Sequence, residues 1–448
     1  MIDPVAASAG VAATVSAAVT DFGGRSVVLA RIDPSTRRGA LDADAGDTLA
    51  SAAHLALDAR LPLVGVVASS GADIHAGVAA LHGWGTAARA FVRCSGVVPI
   101  LLAVNGPTLS GPALLLGLAD VVVMTAGASA YVVGPAAVAS FTGEQVTPVD
   151  LGGAGVHARQ TGLAAGVTDN EDAALELLGA VLGYLPDHCD VEPPYWPTSD
   201  PVERPTPEAG ELLPPTSTGS YDVVEVARAL VDDGEVLELQ AAWAPNLVTA
   251  FATIGGRPVG IVANQPLALA GSIDIAASQK GARFVGLCDA FNVPLVTLVD
   301  TSGFFPGKDR EWRGMIRHGA QLVGAYARAT VPRVCVVLRK AYGGAYIVMD
   351  SKTMGNDVCL AWPTAELAVM GARQAAEILH RGEDADARSV REQEYATTLL
   401  NPWKAAERGY VDIVLDPADT RRVVADALDV LRSKREHLPH RAHDNLPL

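Results

Sequence analysis

The apolar residues of this chain fall into short, uninterrupted runs rich in Val, Leu and Ile, and longer Ala-rich segments of mixed polarity separate them. Proline and glycine border most of these runs. Runs without polar alternation are typical of strands that are buried on both faces, and the mixed segments between them are typical of crossover helices. The pattern therefore predicts an α/β fold.

The same alternation occurs in both halves of the chain. Strands are predicted at 26–31, 62–68, 97–104, 120–125, 258–263, 294–300, 332–338 and 357–361. Helices are predicted at 44–59, 73–92, 171–184, 222–232, 278–291, 312–329, 373–381 and 418–433.

Blocks of similar sequence recur in the same order in the two halves, and an ordered repeat is stronger evidence than any single motif. The matching pairs are 62–71 (PLVGVVASSG) with 294–303 (PLVTLVDTSG), 98–111 with 331–344, and 120–134 with 357–371, at an offset of about 235 residues. The repeat predicts a duplicated domain, with one reaction shared between paired sites.

Prolines crowd the stretch 193–215, where neither a helix nor a central strand would tolerate them. We therefore predict a first domain at 1–190, a linker at 191–220 and a second domain at 221–448.

Composition narrows the choice of function. The chain has 448 residues and a net charge of −16, which argues against nucleic acid as a partner because phosphate binding needs clustered cations. Its five cysteines are far apart, as expected of reduced thiols in the cytoplasm, and no signal peptide or membrane span is predicted. His437, His440 and His443 have the spacing of metal ligands but are more typical of a solvated tail, so no metal is predicted.

The sharpest chemical feature is the stretch 341–346 (AYGGAY), which joins a predicted strand to a predicted helix. Glycines let the backbone approach a ligand closely, and the free N–H groups after such a strand can stabilise a negative oxygen. The alternative is a tight turn that needs glycine for its shape alone. No P-loop, Gly-x-Ser-x-Gly turn or acid/base pair is evident.

Several segments of the second half are identified as those of a known family. They are 257–266 (RPVGIVANQP), 288–292 (CDAFN), 317–320 (RHGA), 339–346 (RKAYGGAY) and 361–365 (AWPTA). They closely resemble the carboxyltransferase (β) subunit of biotin-dependent acyl-CoA carboxylases of the acetyl- and propionyl-CoA type, over about 190–448. The resemblance implies a tandem duplication of a crotonase-like α/β domain.

The resemblance also implies a reaction at two facing sites. A biotinylated partner delivers carboxybiotin, which releases carbon dioxide and then removes the α-proton of the bound acyl-CoA; the resulting enolate attacks the carbon dioxide. Two oxygens gain negative charge, so two sets of backbone donors are needed and no side chain acts as a base. In the second domain, the resemblance assigns the donors to Gly344 and Ala345, facing the ureido oxygen of biotin.

The first domain departs from the family pattern. Ser110-Gly111-Pro112 replaces Gly-Gly-Ala, so the predicted thioester donors are Ser110 and Gly111, and Ser110 needs a backbone shape that a side chain can accept. Residues 69–73 (SSGAD) replace Ser-Gly-Gly-Ala-Arg, which puts Asp73 in place of a cation, and 37–42 (RRGALD) replace Phe-Gly-Gly-Ser-Leu-Gly. The leading segment of similar enzymes is not matched, so we expect a divergent, shortened first domain in which CoA binds differently or the site is partly lost.

Substrate binding is assigned to residues around these turns. Ile347 follows Tyr346 where propionyl-type relatives carry Asp and acetyl-type relatives an apolar residue, which favours acetyl-CoA; the alternative is a packing role. Gly343 and the glycines that end the first repeated block, Gly71 and Gly303, complete the set. Arg317, Arg339 and Lys340 are cations for phosphate or carboxylate, or else part of a solvated face.

Three functions remain open at this point. The leading hypothesis is a carboxyltransferase subunit that makes malonyl-CoA or methylmalonyl-CoA with a biotinylated α subunit, in a homo-hexamer or mixed β assembly. The second is a biotin-linked decarboxylase or transcarboxylase subunit. The third is a weakened structural or specificity β subunit of a mixed complex, motivated by Ser110–Pro112 and Asp73.

Overall fold

The computed structural model describes residues 13–216, 218–440, 442–443 and 445. The chain divides into two units: Met1–Pro193 with Gln240–Trp243, and Pro194–Leu239 with Ala244–Leu448. Gln240 is held in the first unit because its N–H donates to the carbonyl of Ala165 at 2.9 Å. The domain and linker bounds given from the sequence stay predictions.

The first unit is a sheet with helices around it. Its strands are β1 (Val15–Phe22), β2 (Arg25–Ile32), β3 (Leu63–Ser69), β4 (Ile100–Leu109), β5 (Val121–Thr125), β6 (Ser129–Tyr131) and β7 (Gly166–Thr168). Its helices are α1 (Ala43–Ala59), α2 (Val78–Cys94), α3 (Gly111–Leu116), α4 (Pro135–Thr142), α5 (Pro148–Gly152), α6 (Ala154–Val156) and α7 (Glu171–Leu182).

The second unit repeats this arrangement. Its strands are β8 (Leu237–Leu239), β9 (Leu247–Ile254), β10 (Arg257–Asn264), β11 (Leu295–Thr301), β12 (Arg333–Tyr342), β13 (Val358–Ala361), β14 (Glu366–Ala368) and β15 (Ile413–Val414). Its helices are α8 (Pro207–Glu211), α9 (Val223–Leu230), α10 (Ile275–Ala290), α11 (Lys308–Trp312), α12 (Met315–Arg328), α13 (Gly343–Val348), α14 (Ala372–Leu379), α15 (Ala385–Leu399), α16 (Pro402–Glu407) and α17 (Thr420–Val430).

The two sheets have the same topology. The first has the order β1-β2-β3-β4-β5-β7 with β6 on β4, and the second has β9-β10-β11-β12-β13-β15 with β14 on β12 and β8 added beyond β9. Among the described strands, three pairs are antiparallel: β1 with β2, β8 with β9, and β9 with β10. The duplicated α/β fold predicted from the repeat is confirmed.

The duplication extends to an irregularity in the central strands. The register between β3 and β4 shifts after Val67, and Ser69 then pairs with Thr108. The register between β11 and β12 shifts after Val299, and Thr301 then pairs with Ala341. This matched shift brings the ends of β4 and β12 to equivalent positions in the two units.

Every strand and helix predicted from the sequence is present, with small shifts in the bounds. The helix predicted at 73–92 begins later, at Val78, because Gly77 has a φ of 55° and ends a separate turn at Ile74–Ala76. The Pro-rich stretch is fixed by buried ion pairs of Arg421, whose guanidinium contacts Asp232 at 2.6 Å and Asp200 at 3.4 Å. Within the described residues, no helix is long and apolar enough to cross a bilayer.

Candidate active site

The turn after β12 presents backbone N–H groups in the second unit. Gly343 has a φ of 60°, in the left-handed region that glycine adopts without strain, and a Cβ there would lie 3.2 Å from the carbonyl oxygen of Val369. Gly344 and Ala345 follow in the first turn of α13, where N–H groups have no acceptor within the helix. The turn therefore leaves the amides that the sequence predicts as oxyanion donors available to a ligand.

A cavity of about 560 Å³ opens beside this turn, within the size range of small-molecule sites. Four residues assigned to the site from the sequence contribute to its wall: Gly343, Gly344, Tyr346 and Ile347. Ala345 is buried next to them. The structure thus brings together the predicted site residues of the second unit, apart from Gly303.

The rest of the cavity wall was not predicted from the sequence. It consists of residues that follow α13 and of residues from α15, α16 and the loop after it: Ser351, Lys352, Thr353, Leu367, Ala368, Val369, Leu399, Lys404, Ala405, Arg408 and Tyr410. These residues are 8 to 67 positions away from Gly343 in the sequence, so no local pattern connects them with it. The cations among them are partly occupied, since Lys404 pairs with Glu407 at 2.8 Å.

Gly303 lies near the cavity but not in its wall. It follows β11 with a φ of 136°, and its carbonyl accepts the N–H of Ile273 at 3.0 Å. The next residue, Phe304, places its ring 3.6 Å from the point where a Cβ on Gly344 would stand. Gly303 therefore directly precedes an aromatic ring that packs against the turn after β12.

No side chain at this turn is suited to act as a base. Burial raises the pKa of the Tyr346 hydroxyl far above its usual range, and Cys359 and Cys335 add to the shift. A tyrosine hydroxyl is neutral at physiological pH, and the raised pKa moves its deprotonation still further from that pH. This agrees with chemistry in which backbone amides stabilise charge and the proton is removed by another group.

The cation Arg339, predicted for phosphate or carboxylate, is instead structural. It is buried, its guanidinium contacts Asp300 at 2.9 Å, and it donates to the carbonyl of Gly219 at 2.8 Å. Arg339 therefore fixes the Pro-rich stretch to the sheet.

The turn after β4 is the first-unit equivalent, and Ser110 occupies the place of Gly343. Ser110 has a φ of 60° and a ψ of −130°, a conformation that costs a residue with a Cβ about 1–3 kcal/mol. Its N–H donates to the carbonyl of Tyr131 at 3.1 Å. The N–H of Ser110, predicted as a thioester donor, is therefore used within the unit. Because Pro112 has no N–H, the amide of Gly111 is the donor that this turn offers to a ligand.

Two further contacts define the first-unit turn. A Cβ on Gly111 would lie 2.6 Å from the indole of Trp84, so this residue has to be glycine. Gly71, with a φ of 100°, faces the turn, and a Cβ there would lie 3.5 Å from Cβ of Ser110. The structure thus brings Gly71, Ser110 and Gly111 together, as the sequence predicts.

An ion cluster connects the two segments, 37–42 and 69–73, at which the sequence predicts a departure from the family pattern. The Arg37 guanidinium contacts Asp42 at 2.6 Å and Asp73 at 3.0 Å. Burial raises the pKa of Asp42, but the N–H of Ala45 and the Arg37 guanidinium outweigh it and lower that pKa overall. The carboxylate of Asp73 is therefore paired with the guanidinium of Arg37, which belongs to the segment 37–42.

Metal-dependent chemistry has no evident ligand set in the described part of the chain, where no group of three or more His, Cys, Asp or Glu residues is placed to hold an ion. All five cysteines are free thiols.

The chain is similar to known proteins over nearly its whole length. The carboxyl transferase domain family matches residues 5–446. The propionyl-CoA carboxylase beta chain of Saccharopolyspora erythraea is 44% identical, over 96% of this chain and 83% of that protein. The methylmalonyl-CoA decarboxylase subunit alpha of Veillonella parvula is 42% identical, over 96% of this chain and 85% of that protein.

A solved structure is similar over nearly the whole chain. It is the transcarboxylase 12S hexamer with methylmalonyl-coenzyme A and methylmalonic acid bound, with a TM-score of 0.95 and 41% identity, covering 97% of this chain and 85% of that one.

Proposed function

The chain belongs to the carboxyl transferase family, as a biotin-dependent acyl-CoA carboxyltransferase, and from this premise we propose that it carboxylates the α carbon of a short acyl-CoA. The carboxyl donor in this proposal is carboxybiotin on a partner α subunit. The products are malonyl-CoA from acetyl-CoA and methylmalonyl-CoA from propionyl-CoA.

The observation that carries the proposal is the cavity at the turn after β12. Its wall combines apolar side chains, such as Ile347 and Leu399, with the turn Gly343–Gly344. A neutral bicyclic ring with one polar urea fits such a lining, because the ring packs on apolar surface and its oxygen meets fixed N–H donors. When bound, carboxybiotin supplies the carboxyl group and accepts the substrate proton.

The chain's own contribution at this turn is to hold negative charge. The amides of Gly344 and Ala345 are fixed by the helix start and stabilise the ureido oxygen without reorganising. Phe304 packs against the turn, and the raised pKa of the Tyr346 hydroxyl keeps that side chain from acting as a base.

The first unit holds the thioester in this proposal. The amide of Gly111 stabilises the thioester oxygen as the α-proton leaves. Ser110 keeps the left-handed backbone that aims this amide, and its own N–H secures the turn to Tyr131. Gly71 leaves room at the opposite side of the turn.

The preferred acyl group follows from Ile347. Its side chain is in the cavity wall and 37% exposed, so it can contact a ligand. Acetyl-type enzymes of the family carry an apolar residue at this position and propionyl-type enzymes carry Asp, so the resemblance favours acetyl-CoA over propionyl-CoA.

We further propose a hexameric or mixed β assembly in the cytoplasm. Large apolar side chains are strongly exposed in both units, among them Phe141, Trp312 and Ile316, and such exposure is typical of surfaces that are covered in an assembly. The related 12S structure is described as a hexamer. The free thiols suit a reducing compartment.

A carboxylation assay tests the proposal. The purified chain is combined with a biotinylated α subunit, ATP and bicarbonate, and acetyl-, propionyl- and butyryl-CoA are compared by mass spectrometry of the products. We expect carboxylated acetyl-CoA as the main product. The absence of any carboxylated thioester with an active α subunit would contradict the proposal.

A second candidate is a weakened β subunit in a mixed complex. Trp84 stands against Gly111, and Ser110 is strained, so the first-unit turn is less open than the second. The test is calorimetric binding of acetyl-CoA to the chain alone. Micromolar binding removes this candidate, and no binding, with activity restored by another β subunit, supports it.

A third candidate reverses the direction of transfer, as the similarity to the methylmalonyl-CoA decarboxylase subunit suggests. The partner chain distinguishes it, because the carboxyltransferase step itself runs in both directions. Co-purification with an ATP-using biotin carboxylase supports carboxylation, and co-purification with a membrane pump or a keto-acid subunit supports the reverse direction.

A further inference from the structure

The turn that follows β2 has the same backbone as the turn that follows β10, but different side chains. The two turns are Arg37–Gly39 and Leu269–Gly271. Each has a middle residue in the left-handed region, with φ of 56° and 50°. A Cβ on the last glycine would lie 2.1 Å from a strand carbonyl oxygen in the first unit and 2.2 Å in the second. The backbone of both turns is therefore fixed, and only the first two side chains are free to differ.

Those side chains have opposite chemistry. In the second unit they are Leu269 and Ala270, both exposed and apolar. In the first unit they are Arg37 and Arg38, both exposed and cationic. Because the backbone is shared, the two turns differ only in the charge and polarity of the exposed side chains they present.

The arginine turn borders the first-unit site. The carbonyl of Arg38 accepts the N–H of Ser70 at 3.0 Å. The next residue, Gly71, faces Ser110 at the predicted thioester hole. Arg38 is thus connected to the predicted thioester turn through its hydrogen bond to Ser70 and the next residue, Gly71.

The two arginines are not equivalent. Arg37 is bound by Asp42 and Asp73, which bridges the replaced segments and holds the turn in place. Arg38 forms no ion pair or side-chain hydrogen bond with any residue in the described ranges. One arginine is therefore committed to the fold, while the guanidinium of its neighbour is exposed and is not used by any described residue.

We propose that Arg38 binds a phosphate group of the acyl-CoA, with Arg37 as the positioning residue that holds the turn through Asp42 and Asp73. The inference rests on the proposed function. It supplies the cation that Asp73 has displaced: a guanidinium binds phosphate through two parallel N–H donors, and CoA carries phosphates in its nucleotide portion.

The experiment compares Arg38→Gln and Arg38→Lys with the unaltered chain, each assembled with the biotinylated α subunit. The substrates are acetyl-CoA, acetyl-(3′-dephospho)-CoA and acetyl-pantetheine, which has no phosphate. Binding of acetyl-CoA is also measured by calorimetry at several salt concentrations. Arg93→Gln is the matched control, because Arg93 is an exposed arginine in the last turn of α2, in the same unit.

For Arg38→Gln, we expect KM and Kd for acetyl-CoA to rise about tenfold, as for loss of one charged hydrogen bond, with kcat retained. The salt dependence of binding should weaken, Arg38→Lys should fall between, and acetyl-pantetheine should be unaffected. A loss restricted to acetyl-CoA but not its dephospho form assigns the contact to the 3′-phosphate, and a loss with both assigns it to the pyrophosphate.

Two results would overturn the inference. One is unchanged KM for acetyl-CoA in Arg38→Gln; the other is an equal loss with acetyl-pantetheine, which would mean that Arg38 only shapes the turn. In either case the unaltered chain still carboxylates acetyl-CoA, so the proposed function stands. If the unaltered chain neither binds nor carboxylates any acyl-CoA, the proposed function fails and the inference fails with it.

Discussion

The turn after β4 and the turn after β12 lie at equivalent places in the two sheets and differ in the residues that form them. Both begin with a residue at a φ of 60°, but this residue is Ser110 in the first unit and Gly343 in the second. The second turn offers the amides of Gly344 and Ala345 beside a large cavity, whereas the first offers the amide of Gly111 beneath Trp84. The duplicated sheet sets where amides are presented, and individual side chains decide which ligand each turn accepts.

The largest effect is expected from removing one amide of the second turn. Ala345→Pro deletes one N–H donor. The equivalent position of the first unit is Pro112, so a proline is compatible with such a turn. We expect kcat to fall about 10²–10³-fold, as for loss of one oxyanion donor. Thermal unfolding should confirm an intact fold, and Pro112→Ala, the reciprocal change, should not lower kcat. An unchanged kcat in Ala345→Pro would contradict the role given to this turn.

The next effect compares the glycines in the middle of the two turns. Gly111→Ala forces a Cβ against Trp84 at 2.6 Å, and we expect a loss of about 1–3 kcal/mol in the free energy of unfolding. Gly344→Ala meets the Phe304 ring at 3.6 Å, an ordinary contact, and should cost less than about 1 kcal/mol. Urea unfolding of both variants measures the difference. Equal losses in the free energy of unfolding would mean that the Trp84 side chain moves aside to accommodate the new Cβ.

An effect of similar or smaller size is expected from exchanging the first residue of each turn. Ser110→Gly relieves a left-handed backbone and should stabilise the first unit by about 1 kcal/mol, whereas Gly343→Ser imposes that strain and should destabilise by about 1–3 kcal/mol. Midpoints of chemical unfolding give both values. Opposite signs are required, and a stabilising Gly343→Ser would show that the two backbones are not equivalent.

The smallest effect is expected from Tyr346→Phe. Because burial raises the pKa of this hydroxyl, it is neutral on both sides of pH 7 and contributes no titration to the reaction. The pH profile of kcat should keep its shape, and kcat should fall by no more than about fivefold. Loss of one limb of the profile would assign Tyr346 an acid or base role.

Much of the fold could be predicted from the sequence. The family and the tandem crotonase-like fold are confirmed, and strands buried on both faces, such as β3 and β11, were found from their apolar runs. β9 was missed although it is fully buried, because its sequence LVTAFATI mixes threonine and alanine into the run. The three-residue strands β6 and β14 are too short to show a period.

The candidate site was predictable only where its residues are local. The double glycine at 343–344 marks its own turn, and Tyr346 and Ile347, assigned with it, line the same cavity. Another part of the lining, from Lys404 to Tyr410, belongs to a polar, surface-like segment that no period connects with the turn. The pairing of Arg37 with Asp73 likewise depends on tertiary structure, since two strand ends bring these residues together.

The most direct test of the account replaces the amide of residue 345 by an ester, introducing lactic acid for Ala345 by nonsense suppression. This change removes the N–H and keeps the methyl side chain. We expect kcat to fall about 10²–10³-fold, with KM for acetyl-CoA and thermal stability nearly unchanged. A variant with full kcat would contradict the claim that the backbone amides of the second turn hold the charge that develops in the reaction.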